Sequence, residues 1–277
     1  MTTTRIWLNW LDEGVTVTEY GEHDRVRIER VGDVVHVTLC HPDARNAQTP
    51  ATWRRLASIP ELLTPDIRAV VLSGEGQSFS AGLDRRMLTP EGVPGEESLL
   101  TLASYPVERI EAFIRSAQAA FTWWRTVPQI TVARVQGHAI GAGFQLALAC
   151  DLMVVAPDAK LAMRETSLGL VPDLAGTAPL VSAVGYSRAL EICASGRFVT
   201  ADEAVDRGIA IAQVPMEGWD AYTTELLSPM LAAMPGAVAE LKHLLTGASS
   251  APDQPGRERS AQIRRLSELA SLLAGGA

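Results

Sequence analysis

Two short glycine-bearing stretches, Ser80-Ala81-Gly82-Leu83-Asp84 and Gly137-His138-Ala139-Ile140-Gly141-Ala142-Gly143, each follow an apolar run that reads as a buried strand. At each, the strand ends, the backbone turns tightly and a helical or helix-like segment begins. Such a place exposes N–H groups that lack an intrahelical partner, near the positive end of a helix dipole. Two of them converging from separate turns make an oxyanion hole, the device that steadies negative charge on a thioester carbonyl. Glycines also serve merely to let a chain turn, and taken alone they leave that open. Three other readings fall away. Gly141-Ala142-Gly143 runs on into Phe144, Gln145 and Leu146, so the third glycine of a dinucleotide fingerprint is missing. No Gly-Lys-Ser/Thr occurs, which removes a P-loop. Gly76-Gln77-Ser78-Phe79-Ser80 has serine where the hydrolase elbow needs its last glycine.

The elements that must carry these turns follow from the apolar pattern. Val26–Arg30 and Val34–Leu39, rich in β-branched residues and separated by Gly32-Asp33, predict a β-hairpin. The loop at 41–47 precedes a helix from about Pro50 to Leu63, with Thr49 as N-cap and Pro50 at its first position. Ala69–Ser73 is short and apolar, as a buried parallel strand should be. A segment rich in glycine, proline and charge, reaching about Gly95, reads as a mobile loop, and helix resumes over Val107–Arg125. Strand Ile130–Val135, helix Phe144–Cys150, strands Leu152–Ala156 and Lys160–Met163, and helices Pro179–Val184, Arg188–Ala194 and Thr200–Arg207 complete the pattern. From about Trp219 the chain reads as helix throughout, ending in Arg257–Leu273. Strands alternating with helices argue an α/β fold with a parallel sheet, built from ββα units because strands sometimes come in pairs. Three regions are expected: an N-terminal extension over 1–26, in which Trp7 and Trp10 should dock, a ββα core over 27–215, and a helical region over 216–277.

Composition narrows the function classes. Among 277 residues, 47% are hydrophobic and 20% charged, a soluble globular balance. The net charge of −8 argues against a surface that wraps nucleic acid. No apolar stretch approaches the roughly 20 residues needed to cross a bilayer, so no membrane partner is expected. The opening residues lack a sustained apolar run, so no secretory signal is expected and the chain is placed in the cytoplasm. Cys40, Cys150 and Cys193 form no CxxC, and each should pack as a small hydrophobe in a reducing compartment. No metal-like cluster of His, Asp and Glu stands out, and none of the five histidines is placed as a catalytic group.

An ordered set of motifs then becomes specific. It consists of Arg45-Asn46-Ala47 after a strand and a proline, Phe79-Ser80-Ala81-Gly82-Leu83-Asp84, and Gly137 to Ala147 leading to Cys150-Asp151. Glu165 followed by Gly169-Leu170-Val171-Pro172-Asp173 completes it. Together, over about Val26 to Val214, they resemble the crotonase family, the enoyl-CoA hydratases and isomerases. The resemblance implies a spiral of ββα units, a C-terminal helical trimerisation region, and assembly as a homotrimer or dimer of trimers. It also implies an acyl-CoA thioester substrate, whose CoA is the only handle, with no separate cofactor and no metal. By position, the family's two oxyanion amides fall on Leu83 and Ala142. Its CoA-contacting loops fall on Ala44, Arg45, Asn46 and Ala47 and on Ala81 to Arg86. That second loop includes Asp84, with Arg85 and Arg86 either facing CoA phosphates or serving as solvated surface charges.

The acid–base residues depart from the hydratase pattern. Of the two glutamates that hydratases of the family carry, the first falls on Gln145, an amide that can orient a ligand but cannot exchange a proton near neutral pH. The second is retained as Glu165. Asp173, eight positions on, stands where members that move double bonds in dienoyl-CoA carry an aspartate; its other reading is a cap for the helix beginning near Thr177. Moving a double bond needs one proton removed and one returned, which a single carboxylate can do, whereas hydration must also activate water. The expectation is therefore an isomerase with Glu165 as principal acid/base, Asp173 as second proton carrier or orienter, and Gln145 as polar positioner. A 2-enoyl-CoA hydratase and a non-catalytic acyl-CoA binder are the alternatives.

Overall fold

The computed structural model describes residues 17–248 and 251–275; Trp7 and Trp10 lie outside them. β1 (Val17–His23) and β2 (Val26–Val31) form an antiparallel hairpin. Asp24 and Arg25 turn it with φ of 51° and 69°, the left-handed pair that a two-residue turn of type I′ requires. β1 falls within the expected extension, and the apolar pattern missed it. Its sequence, VTEYGEH, is polar because it is the outer edge of the sheet, where a strand needs no buried face on both sides.

β3 (Val34–Leu39) returns antiparallel to β2, as the hairpin pattern predicts. After α1 (Pro50–Ala57) comes β4 (Ala69–Gly74), and after α2 (Leu99–Leu102) and α3 (Val107–Thr122) comes β5 (Ile130–Val135). β6 (His138–Ile140) leads straight into α4 (Ala142–Ala149), then β7 (Leu152–Val155) and β8 (Lys160–Ala162). α5 (Thr177–Val184), α6 (Tyr186–Ser195), β9 (Val199–Thr200), α7 (Ala201–Asp206) and β10 (Ala212–Gln213) follow. The chain closes with α8 (Trp219–Ala232), α9 (Pro235–Leu245) and α10 (Gln254–Gly275).

One sheet runs β1-β2-β3-β4-β5-β7-β10, parallel from β3 onward; a smaller one runs β6-β8-β9. Ala69, Val70, Val71 and Leu72 of β4 are all buried, so both faces of the sheet are covered there. Helix α1 starts where Thr49 and Pro50 predict, with a reciprocal Thr49–Thr52 capping box. It stops at Ala57, short of Leu63, because Pro60 cannot continue an α-helix and the chain tightens into a 3-10 turn over Ile59–Leu62. Helix α4 starts earlier than the sequence suggests, since its first turn contains Gly143, a poor helix former. All eight residues of α4 are buried, which places it at the centre of the main core.

The C-terminal helices dock through a buried ammonium. Lys242 on α9 donates to Trp124 O (3.0 Å) and Gln129 O (2.6 Å) and pairs with Asp151 Oδ2 at 2.6 Å. Burial lowers its pKa, and the Asp151 charge opposes that. No helix among the described residues is long and apolar enough to cross a membrane.

Candidate active site

The two glycine turns meet. Ser80 pairs in parallel with Ala139, and Gln48 with Leu83. Gln48 N donates to Gly82 O and Asp84 N to Gln48 O, both at 2.8 Å. In a parallel bridge the residue between those two bonds directs its own N–H to the opposite side, and here that residue is Leu83. From β6 the chain enters α4 through Gly141, at φ 51° and ψ −118°, a conformation that L side chains avoid. Ala142 opens α4, so its N–H has no intrahelical acceptor. A Cβ on Gly82 would lie 2.2 Å from Ile140 O and 3.3 Å from Ala142 N, so the residue preceding Leu83 touches the backbone beside Ala142. The arrangement offers two backbone donors from separate turns, backed by the N-terminus of a buried helix.

A buried polar chain fixes the first turn. Trp53 Nε1 donates to Gln48 Oε1 (2.8 Å), Gln48 Nε2 to Ser80 Oγ (3.0 Å), and Ser80 Oγ to Asn46 O (2.8 Å), while Gly82 N donates to Ser80 Oγ (3.1 Å). Gln48 and Trp53 carry no motif signal. Only their positions beside Thr49 and Pro50 place them near the site.

The expected CoA-contacting residues divide by what they already hold. Asn46 is buried; its Oδ1 accepts from His41 N, and its Nδ2 donates to Glu75 O and Ser78 O. Its side chain is fully used in holding loops together. Arg25, which the sequence did not single out, ties the loops by donating to Ala47 O (2.8 Å) and meeting Asp84 Oδ2 (3.2 Å). Ala81 N donates to Arg45 O, joining Ala44–Ala47 to the second loop. Arg86 grips Asp84 through Nε and Nη2, and that bond holds the Asp84 carboxyl well below the usual carboxylate range. Arg45 and Arg85 are exposed, and among the described residues neither guanidinium has a partner.

Gln145, in the first turn of α4, faces Glu165, which opens the 3-10 turn after β8. Gln145 Nε2 donates to Glu165 Oε1 at 2.7 Å. Gln145 Oε1 accepts from Leu174 N (2.9 Å) and Gly176 N (3.3 Å), which fixes the amide: flipped, it would set an NH₂ against two N–H donors. Glu165 Oε2 is buried and, among the described residues, has no hydrogen-bond partner. Burial raises the Glu165 pKa; the Gln145 hydrogen bond opposes this and the Asp173 charge adds to it. Asp173 keeps more than a third of its surface open, yet crowding by protein still raises its carboxyl. It does not cap α5, whose N-cap is Gly176 without a side-chain bond. His138 packs edge-on to Phe198 at 5.9 Å. Among the described residues, no three His, Cys, Asp or Glu side chains are grouped to hold a metal.

Residues 29–271 match the family model for enoyl-CoA hydratase/isomerase. A Bacillus subtilis protein assigned as an enoyl-CoA hydratase is 34% identical over 182 residues, 65% of this chain and 65% of that protein, just under two thirds of its length. A mouse mitochondrial Δ(3,5)-Δ(2,4)-dienoyl-CoA isomerase is 33% identical over 180 residues, 64% of this chain and 54% of the relative. Among solved structures, a Thermobifida fusca protein assigned as an enoyl-CoA hydratase, in complex with acetoacetyl-CoA, is 40% identical with a TM-score of 0.84. The match covers 88% of this chain and 96% of that one. The same protein has also been solved with CoA.

Proposed function

The chain belongs to the enoyl-CoA hydratase/isomerase family, the crotonases, and from that premise we propose that it moves a double bond in an enoyl-CoA thioester. The observation that supports this reading is the locked Gln145 amide in contact with Glu165, which leaves one buried carboxylate rather than a pair.

In this reading the N–H groups of Leu83 and Ala142 donate to the thioester oxygen, and charge that develops there on enolisation is held by dipoles already in place. Glu165 takes the proton from the carbon next to the carbonyl, breaking that C–H bond. The electron pair moves into the carbonyl as an enolate conjugated with the old double bond. Return of a proton to the γ carbon places the double bond between the α and β carbons, with no net gain or loss of atoms. Glu165 delivers that proton, or Asp173 supplies it from a second position. The raised carboxyl pKa suits a group that both takes and gives a proton near neutral pH. CoA is bound as part of the substrate, with Arg45 and Arg85 as free cations toward its phosphates.

Hydration of a 2-enoyl-CoA is the second reading, favoured by the Bacillus and Thermobifida relatives. Product analysis with 2-enoyl-, 3-enoyl- and 3,5-dienoyl-CoA separates the two. Conversion of the 3-enoyl or dienoyl substrate supports isomerisation. Consumption of the 2-enoyl substrate alone, giving 3-hydroxyacyl-CoA, overturns it. Exposed apolar side chains along α9 and α10, among them Leu241, Leu245, Ile263 and Leu266, support self-association through the C-terminal helices as a trimer or dimer of trimers. Mass measurement in solution tests this: a monomer overturns it.

A further inference from the structure

The segment from Asp173 to Gly176 is held in an unusual shape. Ala175 sits at φ 64°, a left-handed conformation that a residue with a Cβ adopts only where its surroundings impose it. That kink turns the N–H groups on either side of Ala175, those of Leu174 and Gly176, toward one oxygen, Gln145 Oε1. The approach is close: a Cβ on Gly176 would fall 2.6 Å from Gln145 Cγ. Besides Gln145, one further side chain among the described residues ties the segment: Gln118 on α3, 55 positions earlier, donates from Nε2 to Asp173 O at 2.7 Å.

We propose that Gln118 is a positioning residue that acts at a distance on Glu165. It anchors the strained segment, the segment's two N–H groups lock the Gln145 amide, and the locked amide keeps a donor on Glu165 Oε1. With Oε1 permanently an acceptor, a proton on Glu165 resides on Oε2. The inference rests on the reading of Glu165 as the proton-transferring group.

Among the described residues, the charged and titratable groups around Glu165 are few. They are Asp173 on the anchored segment, the Cys193 thiol on α6, and Arg164 on its own turn, whose Nη1 donates to Gly196 O. Of these, Asp173 moves with the segment and Cys193 and Arg164 do not. A Glu165 that loses the Gln145 donor loses a bond that favours its ionised form, so its pKa rises. The base works ionised, so the acid limb of the rate profile shifts to higher pH.

The test compares Gln118→Leu, which cannot donate, with Gln118→Lys, which can, and uses Glu165→Gln as the reference. With a turned-over enoyl-CoA substrate, Gln118→Leu should move the acid limb of kcat upward by about one pH unit, a roughly tenfold loss at the foot of the limb. KM should change little, and Gln118→Lys should restore the limb. A Gln118→Leu protein that melts lower yet keeps the wild-type limb overturns the inference, because a merely structural contact gives that result. Full activity in Glu165→Gln overturns the underlying reading of the base instead, so the two failures are told apart.

Discussion

Gln145 Nε2 and Glu165 Oε1 lie 2.7 Å apart, with the other end of the same amide taken by two backbone N–H groups. The amide is a one-way donor, and Glu165 is left with a buried oxygen, Oε2, that no group among the described residues satisfies. A buried polar atom without a partner is costly, and proteins keep such atoms where function repays the cost.

That cost has a pH signature. Burial raises the Glu165 carboxyl, so the folded state disfavours the ionised form. For a raised carboxyl, stability is fully present below the unfolded pKa and is lost as pH rises through the folded one. Glu165→Gln should therefore melt at a higher temperature than the wild type at pH 7 to 8, with the gap closing near pH 4. Differential scanning calorimetry across that range checks it; a variant less stable at pH 8 than at pH 4, relative to the wild type, contradicts it.

Gln145→Glu puts a second carboxyl against the first, with Leu174 N and Gly176 N in place to receive its far oxygen. Like charges so close share a proton, which creates an acid beside a base. Hydration of 2-enoyl-CoA should rise by about tenfold or more, within the range general acid–base catalysis supplies. A spectrophotometric hydration assay reads this directly, and an unchanged or lower rate means that the pocket does not hold a reactive water.

How far the sequence disclosed this site depends on what carried each feature. The turns at 80–84 and 137–143 were legible because glycine at a strand end is conspicuous, and the structure joins Gln145 to Glu165, two positions that the motif order singles out. The Asp173 contribution was only half legible: its carboxyl stays open, and it is the backbone after it that locks Gln145. Nothing in a linear pattern marks Gln118, Gln48 or Arg25, because the bond by which each joins separate segments reaches 22 or more positions along the chain. Strand β1 was hidden for a different reason: an edge strand with polar side chains has no alternation to show.

The exposed arginines should separate by commitment. Arg86 already holds Asp84, whereas Arg45 and Arg85 hold nothing among the described residues. Replacing Arg45 or Arg85 by Ala should raise the Kd for an acyl-CoA by about fivefold, the size of roughly 1 kcal/mol for an exposed ion pair. The effect should shrink in high salt. Calorimetric titration at two ionic strengths measures it; equal affinity in wild type and both variants removes them from the phosphate contact.

Lys242 ties the last helices to the core through two carbonyls and Asp151. Lys242→Ala leaves Asp151 with only its Thr131 donors, takes the ammonium from Gln129 O, and leaves Trp124 O with Thr131 Oγ1 alone. Breaking a buried pair from one side costs about 3–5 kcal/mol. For a chain of this size the melting temperature should fall on the order of 10 °C. A drop of less than about 3 °C in a thermal melt would mean that α9 docks by other contacts.

In the proposed reaction two main-chain amides from separate turns grip one oxygen while Glu165 works on the neighbouring carbon. A crystal structure with an unreactive acyl-CoA analogue measures it in one step. In that complex Leu83 N and Ala142 N should both lie about 3 Å from the thioester oxygen, with Glu165 Oε2 within reach of the α carbon. A thioester oxygen held by neither amide, or a Glu165 carboxyl turned away from the bound acyl chain, would contradict it.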